Sequence, residues 1–223
     1  MNFDTPTQMK TVRVGPAQTS PNAMVKIHCA TCAALEAAGV TTDVRELLPK
    51  AAEALDIFAP GRGHGDNQQI RRCPTCGTLY RYRYHYEYDV TGSWDEYYLW
   101  RLPDAARAVI DPLLDPSQPD ASRDRAFVTA LGHRHDEIRT AAALALWTAV
   151  DQNVILNKAM IPACEALADK QHLIGHFCYY ALLWYLKRGP EAAKQVTNAM
   201  DACAIDERDT HFSWILRKEA RKM

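Results

Sequence analysis

The sequence predicts an α+β protein in two parts: an N-terminal α/β-hairpin module organised around cysteines, and an all-α C-terminal region of helical hairpins. Three observations carry that expectation. Two C-x-x-C pairs stand at Cys29–Cys32 and Cys73–Cys76, and a run of alternating aromatic residues follows the second pair. Beyond Pro103, Ala and Leu recur with a helical period and turn signals return every dozen or so residues. These shifts divide the chain into a flexible lead-in over 1–21, a module over 22–103 and a helical region over 104–223, with DPLLDPSQPD as the joint.

At 223 residues and 48% hydrophobic content, the chain has enough apolar side chain for a packed core. A formal net charge of -1 provides no general attraction for nucleic acid or anionic lipid, so either would need a local patch. No segment approaches the roughly 20 apolar residues of a membrane span, and a cytoplasmic location is the expectation. Seven cysteines, four of them in C-x-x-C pairs, argue for thiolates holding a metal in a reducing compartment over a disulfide framework.

The elements follow in order. Residues 1–21 carry Pro6, Pro16 and Pro21, with Thr11–Val14 as a short edge-strand candidate. Ala23–Ile27 reads as a strand leading into Cys29-Ala-Thr-Cys32, after which AALEAAG reads as a helical turn stopped by Gly39. Asp43 and Glu46 have capping-box spacing for a helix through about Phe58, with Pro49 as a kink or a later start. PGRGHGDNQQ, 60–69, lacks periodicity and reads as a loop. Leu79–Val90 and Tyr97–Leu102 read as two antiparallel strands turning at TGS with Gly92.

The two cysteine pairs are the strongest chemical signal. Four thiolates suit a soft, tetrahedral, redox-inert ion such as Zn2+, and Gly77 permits the tight turn after the last ligand. Four sulfurs close the shell and leave no position for substrate, which argues for structure over metal catalysis. Iron–sulfur and redox thiol readings remain open. His28, beside Cys29, reads as a surface neighbour, while Cys164, Cys178 and Cys203 sit at helical spacing among apolar residues and read as core. The CPTCG form resembles a zinc-ribbon knuckle, although 33–72 separates the pairs by more than a compact ribbon allows.

In the helical region, Asp136-Glu-Ile138-Arg139-Thr-Ala141-Ala142-Ala-Leu-Ala145-Leu146 resembles a HEAT-type repeat helix. A shift of 36 positions aligns Ile138 with Ile174, Ala145 with Ala181 and Leu146 with Leu182, and a further 35 carries His176-Phe177 onto His211-Phe212. The resemblance implies a short solenoid of about three helical hairpins, with Ala142, Ala145, Leu146, Ala181 and Leu182 inward. Gly175 departs from the pattern, since the first unit has Arg139 there.

Period-two alternation puts Tyr80, Tyr82, Tyr84, Tyr86 and Tyr88 on one face of a strand and Arg81, Arg83, His85, Glu87 and Asp89 on the other. The tyrosine face is expected to cover the knuckle and the inserted helix. The alternative is a stacking platform for single-stranded nucleic acid flanked by Arg71, Arg72, Arg81 and Arg83, although the acidic end of the strand interrupts a phosphate track.

Catalytic patterns are sparse. HLIGH, His172–His176, lacks the glutamate of H-E-x-x-H and reads as packing; His133-Arg-His135-Asp136 reads as a loop and cap; glycines 61, 63 and 65 form no phosphate loop. The expectation is therefore a non-enzymatic zinc-binding protein acting as a protein–protein interaction module or adaptor. Arg81, Arg83, His85, Trp184 and Tyr185 are its candidate contacts. A partner-neutralising protein of the toxin-immunity kind is compatible with this architecture by analogy. A nucleic-acid binder using strand 79–90 and an enzyme of uncharacterised type stay open as alternatives.

Overall fold

The computed structural model describes residues 29–37, 48–60, 66–89, 92–169 and 172–223. The strand expectations at Thr11–Val14 and Ala23–Ile27, His28, Gly39 and the Asp43–Glu46 capping box lie outside them. The chain is an α/β N-terminal region followed by an all-α region, as the sequence predicts. Helix α1 spans Ala30–Ala37. Four strands follow: β1 Asp56–Pro60, β2 Asp66–Arg72, β3 Leu79–Asp89 and β4 Gly92–Arg101. They form one antiparallel meander in the order β1-β2-β3-β4.

Two of these strands correct the sequence reading. The expected helix through Phe58 is a 3-10 turn over Lys50–Ala54 followed by β1, and the expected loop 60–69 contributes most of β2. Pro49 precedes the 3-10 turn, and Ile57, Phe58 and Ala59 continue extended because pairing with β2 buries Ala59 against Ile70. β2 is central, so its backbone groups bond on both sides and even Gln68 and Gln69 are buried. Two consecutive glutamines conceal that placement in the sequence. β4 also begins earlier than expected, at Gly92.

Each face of the sheet contributes apolar side chains to a core. Tyr80, Tyr82 and Leu99 pack on Cys32, Leu35, Ala52, Leu55 and Cys73. Ile70, Leu79 and Leu102, with Ala59, join the core of the helices. Alternation along β3 assigns Leu79 and Tyr80 to these opposite sides, so a single strand joins the cysteine knuckles to the helical region.

The helices are α2 Ala105–Leu114, α3 Asp120–Leu131, α4 Asp136–Asp151, α5 Met160–Glu165, α6 His172–Leu186, α7 Pro190–Ala202 and α8 His211–Ala220. The expected joint over 111–120 is half helix: α2 runs through Pro112 to Leu114. Burial of Ile110, Leu113 and Leu114 offsets the roughly 3 kcal/mol cost of the proline. Helices α2, α4, α6 and α8 pack as neighbours in one layer, and α3, α5 and α7 lie in a second layer against them. Helix α4 is buried from Thr140 to Val150 because helices and the sheet enclose it, and its alanines let them approach closely. Ala142, Ala145, Leu146, Ala181 and Leu182 are all fully buried, as the periodicity predicts.

Polar clamps join the hairpins. Asp124, buried in α3, accepts the backbone N–H groups of Asn157, Lys158 and Ala159 at 2.8, 2.9 and 3.0 Å. Arg188 donates to the carbonyls of Val150 and Val154, and Arg139 pairs with Asp169. Among the described residues, no helix is long and apolar enough to cross a membrane.

Candidate metal centre

Each cysteine pair rides on a tight backbone turn. Cys29 immediately precedes α1, where its carbonyl accepts the N–H of Ala33 at 2.9 Å, and Cys32 lies in the first helical turn. A separation of three residues there places both sulfurs on one side of the helix end. The Cys32 N–H also points at the Cys29 sulfur, at 3.5 Å. Cys73 and Cys76 lie between β2 and β3. The Cys73 N–H donates to the Thr78 carbonyl at 2.9 Å, and the Gly77 N–H donates to the Cys73 carbonyl at 2.8 Å. Gly77 closes this loop at φ 74°, a left-handed conformation that glycine adopts without strain.

The fold brings all four sulfurs within 4.8 Å of one another. Cys29 to Cys73 is 3.5 Å, Cys29 to Cys76 is 3.7 Å and Cys32 to Cys76 is 3.4 Å. Sulfurs about 2.3 Å from a tetrahedral ion stand about 3.8 Å apart, whereas a disulfide needs about 2.05 Å. The spacing therefore fits four ligands around one ion, and all seven cysteines are free thiols.

Donors surround these sulfurs. The Thr78 hydroxyl lies 3.1 Å from the Cys76 sulfur, and Tyr80 hydrogen-bonds with Cys32. Burial raises the Cys32 thiol to about 12, and burial also raises Cys73. At Cys76 burial acts in the same direction, but hydrogen bonds from the Thr78 hydroxyl and N–H outweigh it and bring the thiol down to about 6. Burial pushes the Tyr80 phenol upward, which keeps it a proton donor. Four crowded thiolates without a cation would repel strongly, so the arrangement suits an ion that displaces their protons.

Residues outside the cysteines hold the second knuckle in place. Arg107 of α2 donates to the Cys76 carbonyl at 3.2 Å and pairs with Asp111, which also binds Arg72 at 2.5 Å. Cys76, Thr78, Leu102, Asp104 and Arg107 line a cleft of about 340 Å³ beside the knuckle. Its charged groups are already engaged, Asp104 with Arg101 and Arg107 with Asp111. Thr78 and Arg107 escape sequence reasoning: Thr78 is an ordinary residue after CPTCG, and Arg107 reaches the knuckle from 31 positions away.

The other predicted residues are placed as follows. Arg81, Arg83 and His85 share the sheet face opposite the knuckles and are half-buried. The Arg81 guanidinium lies 4.3 Å from the Trp100 ring centroid and Arg83 lies 5.5 Å from that of Tyr98, while the two rings stack at 5.3 Å. These arginines are therefore engaged in packing on their own sheet. Trp184 is 46% exposed. Tyr185 is a correction: it is buried, and its hydroxyl donates to the Leu156 carbonyl at 3.2 Å with Gln195 3.0 Å away. Helical periodicity turns it inward when its neighbour Trp184 faces outward.

The tyrosine face grades along the strand. Tyr80 and Tyr82 are buried, Tyr84 is half-buried with its hydroxyl donating to Asp95 at 2.7 Å, and Tyr86 is 49% exposed. The face is core next to the knuckles and surface at its far end, so the expected cover extends only part of the way. Cys164 and Cys178 are buried and Cys203 half-buried, all outside the sulfur cluster. His176 packs edge-on against Phe177, Tyr180 and Phe212. His133 accepts the His135 N–H at 3.2 Å in the loop before α4.

Comparison with family models, with curated proteins and with solved structures yields no match.

Proposed function

We propose that the four cysteines hold one structural Zn2+ and that the chain works as a non-enzymatic protein-interaction module. The carrying observation is the sulfur geometry: four thiols on two knuckles, with separations of 3.4–3.7 Å between the measured pairs. Zinc fits because it accepts four thiolates without a preferred geometry beyond the tetrahedron and without redox chemistry. Cys29, Cys32, Cys73 and Cys76 would fill its shell. The ion would tie α1 to the β2–β3 turn, elements that sequence alone leaves far apart.

The helical layers support the adaptor half of the reading. Their packing is consistent with a HEAT-type stack, whose paired helices present an extended surface. Elemental analysis of the chain purified without added metal tests the first half: one zinc per chain is the expected result. Iron with visible colour would replace zinc by an iron–sulfur cluster, and a metal-free, fully folded chain would remove the structural role. Recovery of the same protein partner from independent purifications in the native host tests the second half.

A further inference from the structure

We infer that the outer edge of β4 is a self-association site, where a second copy of the chain adds its own β4 antiparallel and joins the two meanders into one continuous sheet. The inference goes beyond the metal site and does not depend on it. β4 ends the strand order, and among the described residues no strand lies beyond it. The Leu102 N–H donates to the Leu79 carbonyl at 2.9 Å, in the same register that pairs Arg81 with Trp100 and Arg83 with Tyr98. Alternation therefore turns the backbone groups of Trp100 and Tyr98 toward β3 and those of Leu99, Tyr97 and Asp95 away from it. A row of outward N–H and C=O groups is a template for another strand.

The two edges of the sheet differ. β1 has five residues, a register break between Ile57 and Ala59 and a terminal Pro60, features that discourage pairing. β4 has ten residues, no proline and an unbroken register with β3 from Gly92 to Arg101. Helix α4 packs on β1 and β2, whereas β3 is the only described element that packs extensively on β4. The helical region thus leaves room beside β4.

Side chains select a second copy as the occupant. The strand carries Asp95 toward one end and Arg101 at the other, both on the knuckle face. An antiparallel copy reverses that order. Pairing about Tyr98 places each Asp95 opposite Arg101 of the other copy, with Tyr97 opposite Leu99 between them. Both ion pairs form together because the contact is two-fold. Centring on Tyr97 or Leu99 instead would put Asp95 opposite Leu99 or Pro103 and lose them. Each charged group has capacity for a second contact. Arg101 binds Asp104 through Nη2 at 2.9 Å and a guanidinium carries five donors, while Asp95 takes the Tyr84 hydroxyl on Oδ1 of its two oxygens. On the opposite face Tyr98 stacks on Trp100 at 5.3 Å and donates to Glu96 at 2.5 Å, so this row is ordered before pairing.

Sedimentation equilibrium of the full chain tests this, with Asp95→Arg and Arg101→Asp variants run singly and mixed in equal amounts. The parent is expected to dimerise. Each variant should dissociate about tenfold or more readily, because like charges then face each other across both pairs. Mixing the two variants recreates both opposite pairs, so a dimer of one copy of each should return; a fault within either variant's own fold would not be repaired by mixing. A parent that stays monomeric, variants that dimerise as the parent does, or a mixture that fails to recover would each overturn the inference. If Arg101→Asp does not fold, hydrogen exchange at Tyr97 and Leu99 in the parent decides. Their N–H groups should become better protected as concentration rises. Protection independent of concentration would assign the edge to another segment of the same chain, and no protection would leave it to solvent; either result defeats the inference.

Discussion

Arg107 lies directly over Gly77: its Nη1 donates to the Cys76 carbonyl at 3.2 Å, and a β-carbon added to Gly77 would stand 2.6 Å from that same nitrogen. The first helix of the C-terminal region thus braces the second cysteine knuckle. Gly77→Ala would force a left-handed backbone on alanine and displace Arg107. The expected cost is about 1–2 kcal/mol, read by chemical denaturation, together with faster loss of the proposed Zn2+ to a colorimetric chelator. An unchanged melt and release rate would show that the brace is incidental.

Chelation addresses the proposed Zn2+. Binding of a structural zinc contributes about 10 kcal/mol or more in small peptides, comparable with the stability of a whole domain. Cys32→Ser, or prolonged exposure to a strong chelator, is expected to abolish zinc content and unfold the region around 29–101. The α-helical circular dichroism of α3 to α8 should largely survive. Retention of both metal and melting temperature in Cys32→Ser would contradict the four-sulfur shell.

Two tyrosines on one face should behave differently. Tyr82 is 6% exposed and supports the Arg71 guanidinium 3.8 Å from its ring centroid, whereas Tyr86 is 49% exposed. Tyr82→Ala is expected to cost about 3–5 kcal/mol, and Tyr86→Ala about 0.5 kcal/mol or less. Equal losses on urea denaturation would mean that the face is covered along its whole length.

Asp124 holds three backbone N–H groups in a buried site. Asp124→Ala leaves those donors without the carboxylate, at an expected cost of about 3 kcal/mol or more. Hydrogen exchange at Asn157, Lys158 and Ala159 should accelerate ahead of global unfolding, and unchanged protection would refute the clamp.

Gly175 explains its own departure from the repeat pattern. A β-carbon there would lie 2.8 Å from the Ala166 carbonyl oxygen, because α6 passes close to the turn at Ala166–Ala168. Gly175→Ala should cost about 1–3 kcal/mol through overpacking against backbone, and Gly175→Arg more. A neutral Gly175→Ala would show that the two segments separate readily.

The sequence alone marks the two cysteine pairs, the aromatic hairpin and buried positions on α4 and α6, because each follows a short-range rule. A C-x-x-C turn aims two sulfurs together, alternation assigns strand faces, and a period of 3.6 marks a helix stripe. Alignment of the repeats also places Ala145 with Ala181 and Leu146 with Leu182, all buried. Tertiary structure decides what depends on distant neighbours. β1 and β2 are strands because β3 offers an edge that buries Gln68, Gln69 and Ile70, although their own residues read as helix and loop. Likewise Tyr82 is core and Tyr86 surface according to how far the knuckle module reaches along β3. Adjacent residues Trp184 and Tyr185 part company because α6 turns only one of them into the core. Local periodicity sets which way a side chain points along its own element; burial depends on what the rest of the chain packs against that side.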